Sequence, residues 1–203
     1  MPRKSTDPAE DGGFAPPSFA ELWWLPVGAG GRVVARSSRL WERGRALRDH
    51  RAPRPLFHAA LEIQEQGRRT LIEMAPAWGP HAGTHGVVAT GPVGARPLGR
   101  SRFFRYEIRC WEDGLLPDRE YAPDPPVRIP LTPGDARAAL EHLRTAPRYT
   151  WGRDPLDAGE MWNSNSLIAW LLQVIDAGPA DLHPPSGGLA PGWSAGIAAA
   201  QLR

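Results

Sequence analysis

An apolar helix preceded by a polar turn constrains the fold of this chain more than any other segment. Apolar residues recur at the spacing of one buried helix face at Leu167, Ile168, Leu171, Leu172 and Ile175. The Asn and Ser residues at 163–166 are typical N-cap residues, and Gly178-Pro179 ends the pattern. We therefore predict a helix over about 164–177. Its first turn offers unpaired N–H donors and the positive end of the helix dipole, which suit either a nucleophile with its oxyanion or an ordinary cap.

The composition is that of one globular domain. The chain has 203 residues and a formal net charge of +2, and Lys4 is the single lysine among 24 basic residues. This arginine-rich usage, with 22 Gly and 23 Pro, resembles GC-rich bacterial coding. The lone Cys110 excludes an internal disulfide framework and a multi-cysteine zinc site. The sequence has neither a secretion signal nor an apolar run approaching about 18 residues, so we expect a cytoplasmic protein without a transmembrane segment.

The pattern of elements predicts an α+β fold with a mainly antiparallel sheet. Residues 1–18 combine Pro, Gly, Ser and mixed charge, which is typical of a flexible leader, and residues 19–203 form a single domain. Within the domain we predict, in order, a basic helix over about 36–51, a sheet over about 55–131, helices over about 132–146 and 164–177, and a wrapping tail over 179–203.

A hairpin near the start of the predicted sheet brings two polar side chains to one face. Strands over 56–63 and 70–75 flank Gly67, and alternation places Phe57, Ala59, Leu61 and Ile63 on the core face of the first strand. His58 lies on the opposite face, as does Glu73 of the second strand. We therefore expect His58 and Glu73 to be neighbours, provided that the register of the two strands permits it.

These features resemble the circularly permuted papain-like superfamily, which includes lecithin retinol acyltransferase-like proteins and bacterial amidase or peptidase families. The features are a His that opens a strand, an acidic residue on the next strand, and Asn163-Ser164-Asn165 at the start of a late helix. The chain is most similar to an uncharacterised bacterial family with Asn-Ser-Asn-Ser/Thr in place of the cysteine motif. The resemblance covers about two-thirds of the chain, and its most specific part is residues 162–172.

The resemblance implies a papain-like sheet packed against a nucleophile-bearing helix, with Ser164, His58 and Glu73 in the catalytic positions. Serine stands where the family has cysteine, and a helix dipole cannot ionise a hydroxyl as it does a thiol. Ser164 would therefore need His58 as a general base, Glu73 to fix the imidazole tautomer, and N–H groups near Ser164 and Asn165 to receive the oxyanion. We expect Asn163, Asn165, Trp162 and Trp151 to border the substrate site.

Each catalytic residue also has a structural interpretation. In that interpretation Ser164 is an ordinary helix cap, His58 is a hydrogen-bonded structural histidine, and Glu73 is a partner for one of the arginines. His85 is an alternative third member of the triad. His81 and His85 have the spacing of a metal pair, but they lie in a glycine-containing segment without further ligands, so we expect no metal and no cofactor.

Three functional hypotheses remain open at this point. The first is a hydrolase or acyltransferase that acts on an amide or ester through Ser164, His58 and Glu73. The second is an inactive papain-like domain that binds a peptide, lipid, cell-wall fragment or other small molecule. The third is a structural or partner-binding protein whose basic segment, residues 36–51, is the interface. This segment could contact an anionic surface, or it could lie on its own domain with its arginines solvated. Basic residues alternate with acidic ones through most of the chain, which argues against nucleic acid as a partner.

Overall fold

In the part of the chain that the structure describes, the protein is an α+β domain of six strands and four α-helices. A computed structural model describes residues 17–28, 32–78, 83 and 86–202, with the side chains of the first helix described from Leu40 onwards. The elements, in order, are β1 (Ser18–Pro26), α1 (Arg32–Arg48), β2 (Phe57–Glu65), β3 (Arg68–Pro76), β4 (Val87–Pro92), β5 (Arg105–Glu112), β6 (Val127–Leu131), α2 (Pro133–His142), α3 (Ser164–Val174) and α4 (Trp193–Gln201).

All six strands belong to one antiparallel sheet in the order β4-β5-β3-β2-β1-β6. The predicted hairpin of β2 and β3 is confirmed, and its turn is Gln66-Gly67, both with positive φ. This conformation is the one that a tight two-residue hairpin favours. The predicted α+β class and antiparallel sheet are therefore correct.

The sheet has a large core on one face and a smaller one on the other. Helices α2 and α3 cover the first face, where they pack against the predicted core residues of β2, and α4 packs against α3. The second face buries a smaller cluster, Trp23, Leu25, Ala60, Leu71 and Leu116. Leu116 belongs to the acidic, proline-rich loop between β5 and β6, residues 113–126, so this loop covers the cluster on the second face.

Strand β1 was not predicted, and the predicted sheet begins only at residue 55. The strand lies between β2 and β6, and its second half is buried on both faces. Its apolar residues therefore run consecutively through Leu22, Trp23, Trp24 and Leu25 instead of alternating, and alternation is the signal by which a half-buried strand is recognised. The predicted leader at 1–18 lies outside the described residues except for its last two positions, and Ser18 already belongs to β1.

The three predicted helices begin within four residues of their predicted positions, and each of them ends earlier than predicted. The basic helix occupies Arg32–Arg48 rather than 36–51, and the other two predicted helices end earlier, at His142 and Val174. The tail contains an unpredicted helix, α4, which packs against α3. None of the helices in the described part of the chain is long and apolar enough to cross a bilayer.

The two central strands of the sheet separate at one end, and this separation creates the candidate site. Residues Leu61–Glu65 of β2 pair with Arg68–Ile72 of β3, next to the hairpin turn. Beyond that point the first residues of β2 pair with β1, and the last residues of β3 pair with β5. The sheet therefore contains a gap between residues 57–60 and 73–76.

Candidate functional site

A cleft of about 700 Å³ lies at the gap between β2 and β3. Both strands contribute to its walls, as do the first turn of α3, helix α1 and the loops around Val93, Asp118 and Trp151. Its lining is mainly apolar, with a few polar side chains, His58, Glu73, Asp118, Asn163, Ser164 and Asn165. A cleft of this size and composition is typical of a small-molecule site.

Asn163, and not Ser164, caps helix α3. The Asn163 Oδ1 accepts hydrogen bonds from the backbone N–H of Asn165 at 2.9 Å and of Ser166 at 3.3 Å. In return the Ser166 Oγ accepts from the Asn163 N–H at 3.0 Å, which completes a capping box, and donates to the Gly192 carbonyl at 2.7 Å. The helix N-terminus is thereby fixed to the segment that enters α4.

Asn165 holds the unpaired edge of β2. Its side-chain oxygen accepts from the Ala59 N–H at 2.7 Å, and its nitrogen donates to the Phe57 carbonyl at 3.0 Å and to the Pro191 carbonyl at 2.9 Å. The Ala59 and Phe57 groups are those that a neighbouring strand would occupy. The amide thus replaces β3 where β3 has diverged, and it satisfies two buried backbone groups that would otherwise lack partners.

Ser164 occupies the first position of α3 and lines the cleft. The residue is buried apart from its exposure to the cleft, and its hydroxyl forms no hydrogen bond with any described residue. The N–H groups of Asn165 and Ser166 are already bound to the capping Asn163. The oxyanion site predicted at Ser164 and Asn165 therefore lacks one of its expected donors, the Asn165 N–H.

His58 lies on β2 and faces the cleft while remaining half-buried. The surrounding protein desolvates the imidazole and lowers the pKa of His58 to about 4, so the ring is neutral at pH 7. No hydrogen bond joins His58 to Ser164 or to Glu73, although all three residues line the same cleft. The structure thus brings the predicted triad to one site without connecting its members.

Glu73 is bound to an arginine on the neighbouring strand. The Arg109 Nη1 donates to the Glu73 Oε1 at 3.1 Å, and the Arg109 Nη2 donates to the Glu107 Oε2 at 3.0 Å. Glu73 and Arg109 are directly opposite in the β3–β5 ladder, whereas β2 has already moved away. The divergence of the strands explains why Glu73 contacts Arg109 instead of orienting His58.

The two tryptophans predicted to border the substrate site have different positions. Trp151 lines the cleft, as predicted. Trp162 does not, because it is 0% exposed and its ring meets Tyr149 edge-on with the centroids 5.2 Å apart. Trp162 therefore belongs to the core beneath α3 and does not border this cleft.

The cleft lining also contains residues that were not predicted, two of which are polar or aromatic side chains from distant segments. Trp41 belongs to α1, and Asp118 belongs to the loop between β5 and β6. Burial raises the pKa of Asp118, with the nearby Glu120 adding to the effect. Both residues lie more than 15 positions from any predicted site residue, and only the three-dimensional path of their segments brings them to the cleft.

The two remaining histidine predictions cannot be placed. His81 and His85 lie outside the described residues, and so do the alternative triad and the metal pair that would involve them. Within the described ranges no three His, Cys, Asp or Glu side chains are grouped so that they could hold a metal ion. Comparisons with protein-family models, with curated proteins and with solved structures find no match to this chain.

Proposed function

We propose that the protein binds a ligand with an apolar acyl or peptide portion in the cleft between β2 and β3. The observation that carries this proposal is the cleft itself, a space of about 700 Å³ with apolar walls and a few convergent polar side chains. Ligand sites commonly have volumes of about 300–1,000 Å³ and this kind of lining. The unbound Ser164 hydroxyl and the neutral His58 imidazole offer a donor and an acceptor for an amide or ester group.

Binding without catalysis accounts for the polar contacts better than hydrolysis does. Glu73 is engaged by Arg109 and forms no hydrogen bond with His58, so it does not orient the imidazole. The Asn165 N–H is engaged by Asn163, which removes a donor from the oxyanion site. The low pKa of His58 also makes its imidazole a weak base. These three features support a cleft that recognises a ligand.

The packing of α3 against β2 also supports a permuted papain-like arrangement as part of this proposal. In that arrangement a helix N-terminus meets the strand that carries the histidine, and here the Asn165 side chain binds the backbone on both sides of His58. The histidine precedes the helix in the sequence, as the permuted order requires. We therefore propose that the cleft corresponds to a papain-like cleft with serine at the nucleophile position.

Calorimetric titration with N-octanoylglycinamide tests the binding proposal, with N-acetylglycinamide as the probe that lacks the apolar chain. We expect saturable heat with the octanoyl compound alone. Ala75→Trp, on the cleft wall, should abolish it, whereas Ala180→Trp, at an exposed position outside the cleft lining, should leave it unchanged. Absence of heat from the wild type, or equal binding by the Ala75→Trp protein, would contradict the proposal.

Acyl hydrolysis or transfer through Ser164 is the second candidate function. It is favoured by one observation, a hydroxyl at a helix N-terminus that lacks a hydrogen-bond partner among the described residues and shares a cleft with a neutral imidazole. Intact-mass analysis after treatment with a fluorophosphonate should then give one adduct, lost in Ser164→Ala and His58→Ala but retained in Ser194→Ala, an exposed serine. An adduct that survives Ser164→Ala would exclude this candidate.

A further inference from the structure

Two arginine-rich connections flank the mouth of the cleft. Strands β1, β3 and β4 end at the same end of the sheet at which β2 and β5 begin, and this is the end where β2 and β3 diverge. The connection from β1 to β2 contains α1, and the connection from β4 to β5 spans residues 93–104. In the sheet order the first lies on one side of the gap and the second on the other.

Both connections expose large apolar side chains. On α1, Leu40 is 73% exposed and Leu47 is 77% exposed, and their separation of seven residues places them on one helix face. Phe103, in the other connection, is 64% exposed. Three further exposed apolar residues accompany them, Trp41, Leu98 and Phe104. Apolar groups exposed together in this way mark an interaction surface more often than isolated ones do.

The same two connections carry unneutralised positive charge. Five exposed arginines have no salt bridge with any described residue, Arg43, Arg48, Arg96, Arg100 and Arg102. Residues 93–104 contain no acidic residue. The one acidic residue of α1, Glu42, is buried and binds Arg51 and the Arg54 N–H. The two connections therefore carry excess positive charge on both sides of the cleft.

We infer that this end of the molecule, defined by α1 and residues 93–104, docks on an anionic lipid surface. Exposed leucines and phenylalanines enter the boundary between head groups and acyl chains, while arginines beside them contact anionic head groups. The exposed aromatic residues could stack on a nucleobase, but Leu40, Leu47 and Leu98 could not, so the exposure of these leucines favours lipid over nucleic acid. In this orientation the cleft mouth faces the membrane.

The inference does not depend on what the cleft binds. It rests on side chains at the rim of the cleft and outside it, and a vesicle assay reads their contribution with the cleft empty or filled. The cleft-filling Ala75→Trp protein should therefore bind vesicles as the wild type does. The calorimetric titration tests ligand binding and the vesicle assay tests lipid binding, so either proposal can fail without the other.

Flotation of the full chain with vesicles tests the inference. We expect co-flotation with vesicles of phosphatidylcholine and phosphatidylglycerol and none with phosphatidylcholine alone. Since each arginine near an anionic surface strengthens partitioning about fivefold, Arg43→Gln/Arg48→Gln should lower the partition coefficient about twentyfold. Leu40→Ser/Leu47→Ser and Phe103→Ser/Phe104→Ser should each lower it at least about tenfold, because the inserted apolar area is lost.

A matched control removes two arginines from outside the surface. Arg68 lies at the hairpin turn between β2 and β3, at the opposite end of the sheet, and Arg137 lies on α2; both are exposed. Arg68→Gln/Arg137→Gln has the same net charge as the α1 variant and should change the partition coefficient by less than about twofold. Circular dichroism should confirm that every variant is folded, since all the substituted side chains are exposed.

Four results would overturn the inference. The first is failure of the folded wild type to bind the anionic vesicles. The second is a loss in the control variant as large as that in the α1 variant, because the effect would then be one of overall charge. The third is wild-type binding by the leucine and phenylalanine variants. The fourth is tighter binding of a fluorescent single-stranded oligonucleotide than of the anionic vesicles.

Discussion

At the scale of single residues, the polar run from Asn163 to Ser166 divides its tasks among neighbours. Asn163 caps the helix, Ser166 completes the capping box, and Asn165 binds the backbone of β2. This division leaves Ser164 as the residue whose hydroxyl faces the cleft without a hydrogen bond to a described residue. The sequence predicts a cap here because any Asn or Ser can fill that role. It cannot predict which residue reaches the sheet, since that contact spans 106 positions.

Replacement of Asn165 should destabilise the fold more than a typical helix substitution. The side chain is 2% exposed, and Asn165→Leu would leave the Ala59 N–H and the Phe57 carbonyl without partners. Each buried backbone group that loses its partner costs about 1–3 kcal/mol, so we expect a loss of about 2–5 kcal/mol. Urea unfolding followed by circular dichroism measures the change.

Gln173→Leu, on the same helix, provides the matched control for this prediction. Gln173 is half-buried and its side chain forms no hydrogen bond with a described residue. Its replacement should change the unfolding free energy by less than about 1 kcal/mol. Equal effects of the two substitutions would show that the Asn165 contacts contribute little to stability.

His58 should make the stability of the protein depend on pH. Burial lowers the pKa of the folded-state imidazole to about 4, whereas the unfolded-state value is about 6.5. Between these values the unfolded state binds more protons, so stability is highest above pH 6.5 and falls as the pH drops towards 4. The shift in pKa corresponds to a loss of at most about 3 kcal/mol of unfolding free energy. Solvent that reaches the half-buried ring through the cleft makes this loss smaller.

Urea unfolding at pH 7 and pH 4.5 tests this dependence on His58. The loss of stability between the two pH values should be smaller in His58→Gln than in the wild type. His183→Gln, at an exposed histidine, should lose as much as the wild type. A wild-type loss in the His58→Gln protein would mean that other groups cause the acid sensitivity.

At the scale of elements, α3 and α4 approach closely because α4 presents small residues to its partner. A Cβ added at Gly196 would lie 2.2 Å from the Ser166 carbonyl oxygen and 2.8 Å from the Ala169 Cβ. Gly192, which precedes α4, has φ of +91°, and a Cβ there would lie 2.6 Å from the Asn163 Oδ1. Because neither glycine has a Cβ, the start of α4 can pack directly against the capping box of α3.

Gly196→Ala should separate α4 from α3 and destabilise the protein. Overpacking of this kind costs about 1–3 kcal/mol. Gly44→Ala, in exposed α1, should have the opposite sign, because no described atom lies within 4 Å of the added Cβ and alanine favours a helix over glycine by about 1 kcal/mol. Thermal unfolding of both variants measures the contrast. Stabilisation by Gly196→Ala would contradict the packing described for the two helices.

The same small residues explain why the sequence analysis missed α4. A helix of Ala and Gly has a weak apolar periodicity, and its surroundings are rich in Pro and Gly, which are typical of loops. Helix α3 was predicted because its leucines and isoleucine carry a strong period and because Asn163 marks its start. Of these two helices, the one that supplies large side chains to the core at a regular period could thus be predicted, whereas the one that fits around it could not.

Across the molecule as a whole, the residues of the candidate site could be predicted from the sequence, but the hydrogen bonds among them could not. His58, Glu73, Ser164 and Trp151 line one cleft. Their hydrogen bonds depend on the divergence of β2 and β3, which alternation of side chains does not reveal, because each strand keeps its period when it changes partner. The exposed arginines of α1 and residues 93–104 flank the cleft for the same reason, since only the strand order places them on its two sides.

The divergence of β2 and β3 also divides the sheet into two halves. Among the described residues, strand pairing joins the three-stranded half β4-β5-β3 to the other half β2-β1-β6 through Leu61–Glu65 and Arg68–Ile72. Over the rest of β2 and β3 the cleft takes the place of strand pairing. Away from the hairpin the two halves are joined by the packing of α3, which contacts both β2 and β3, while the Asn165 amide is bonded to the β2 half.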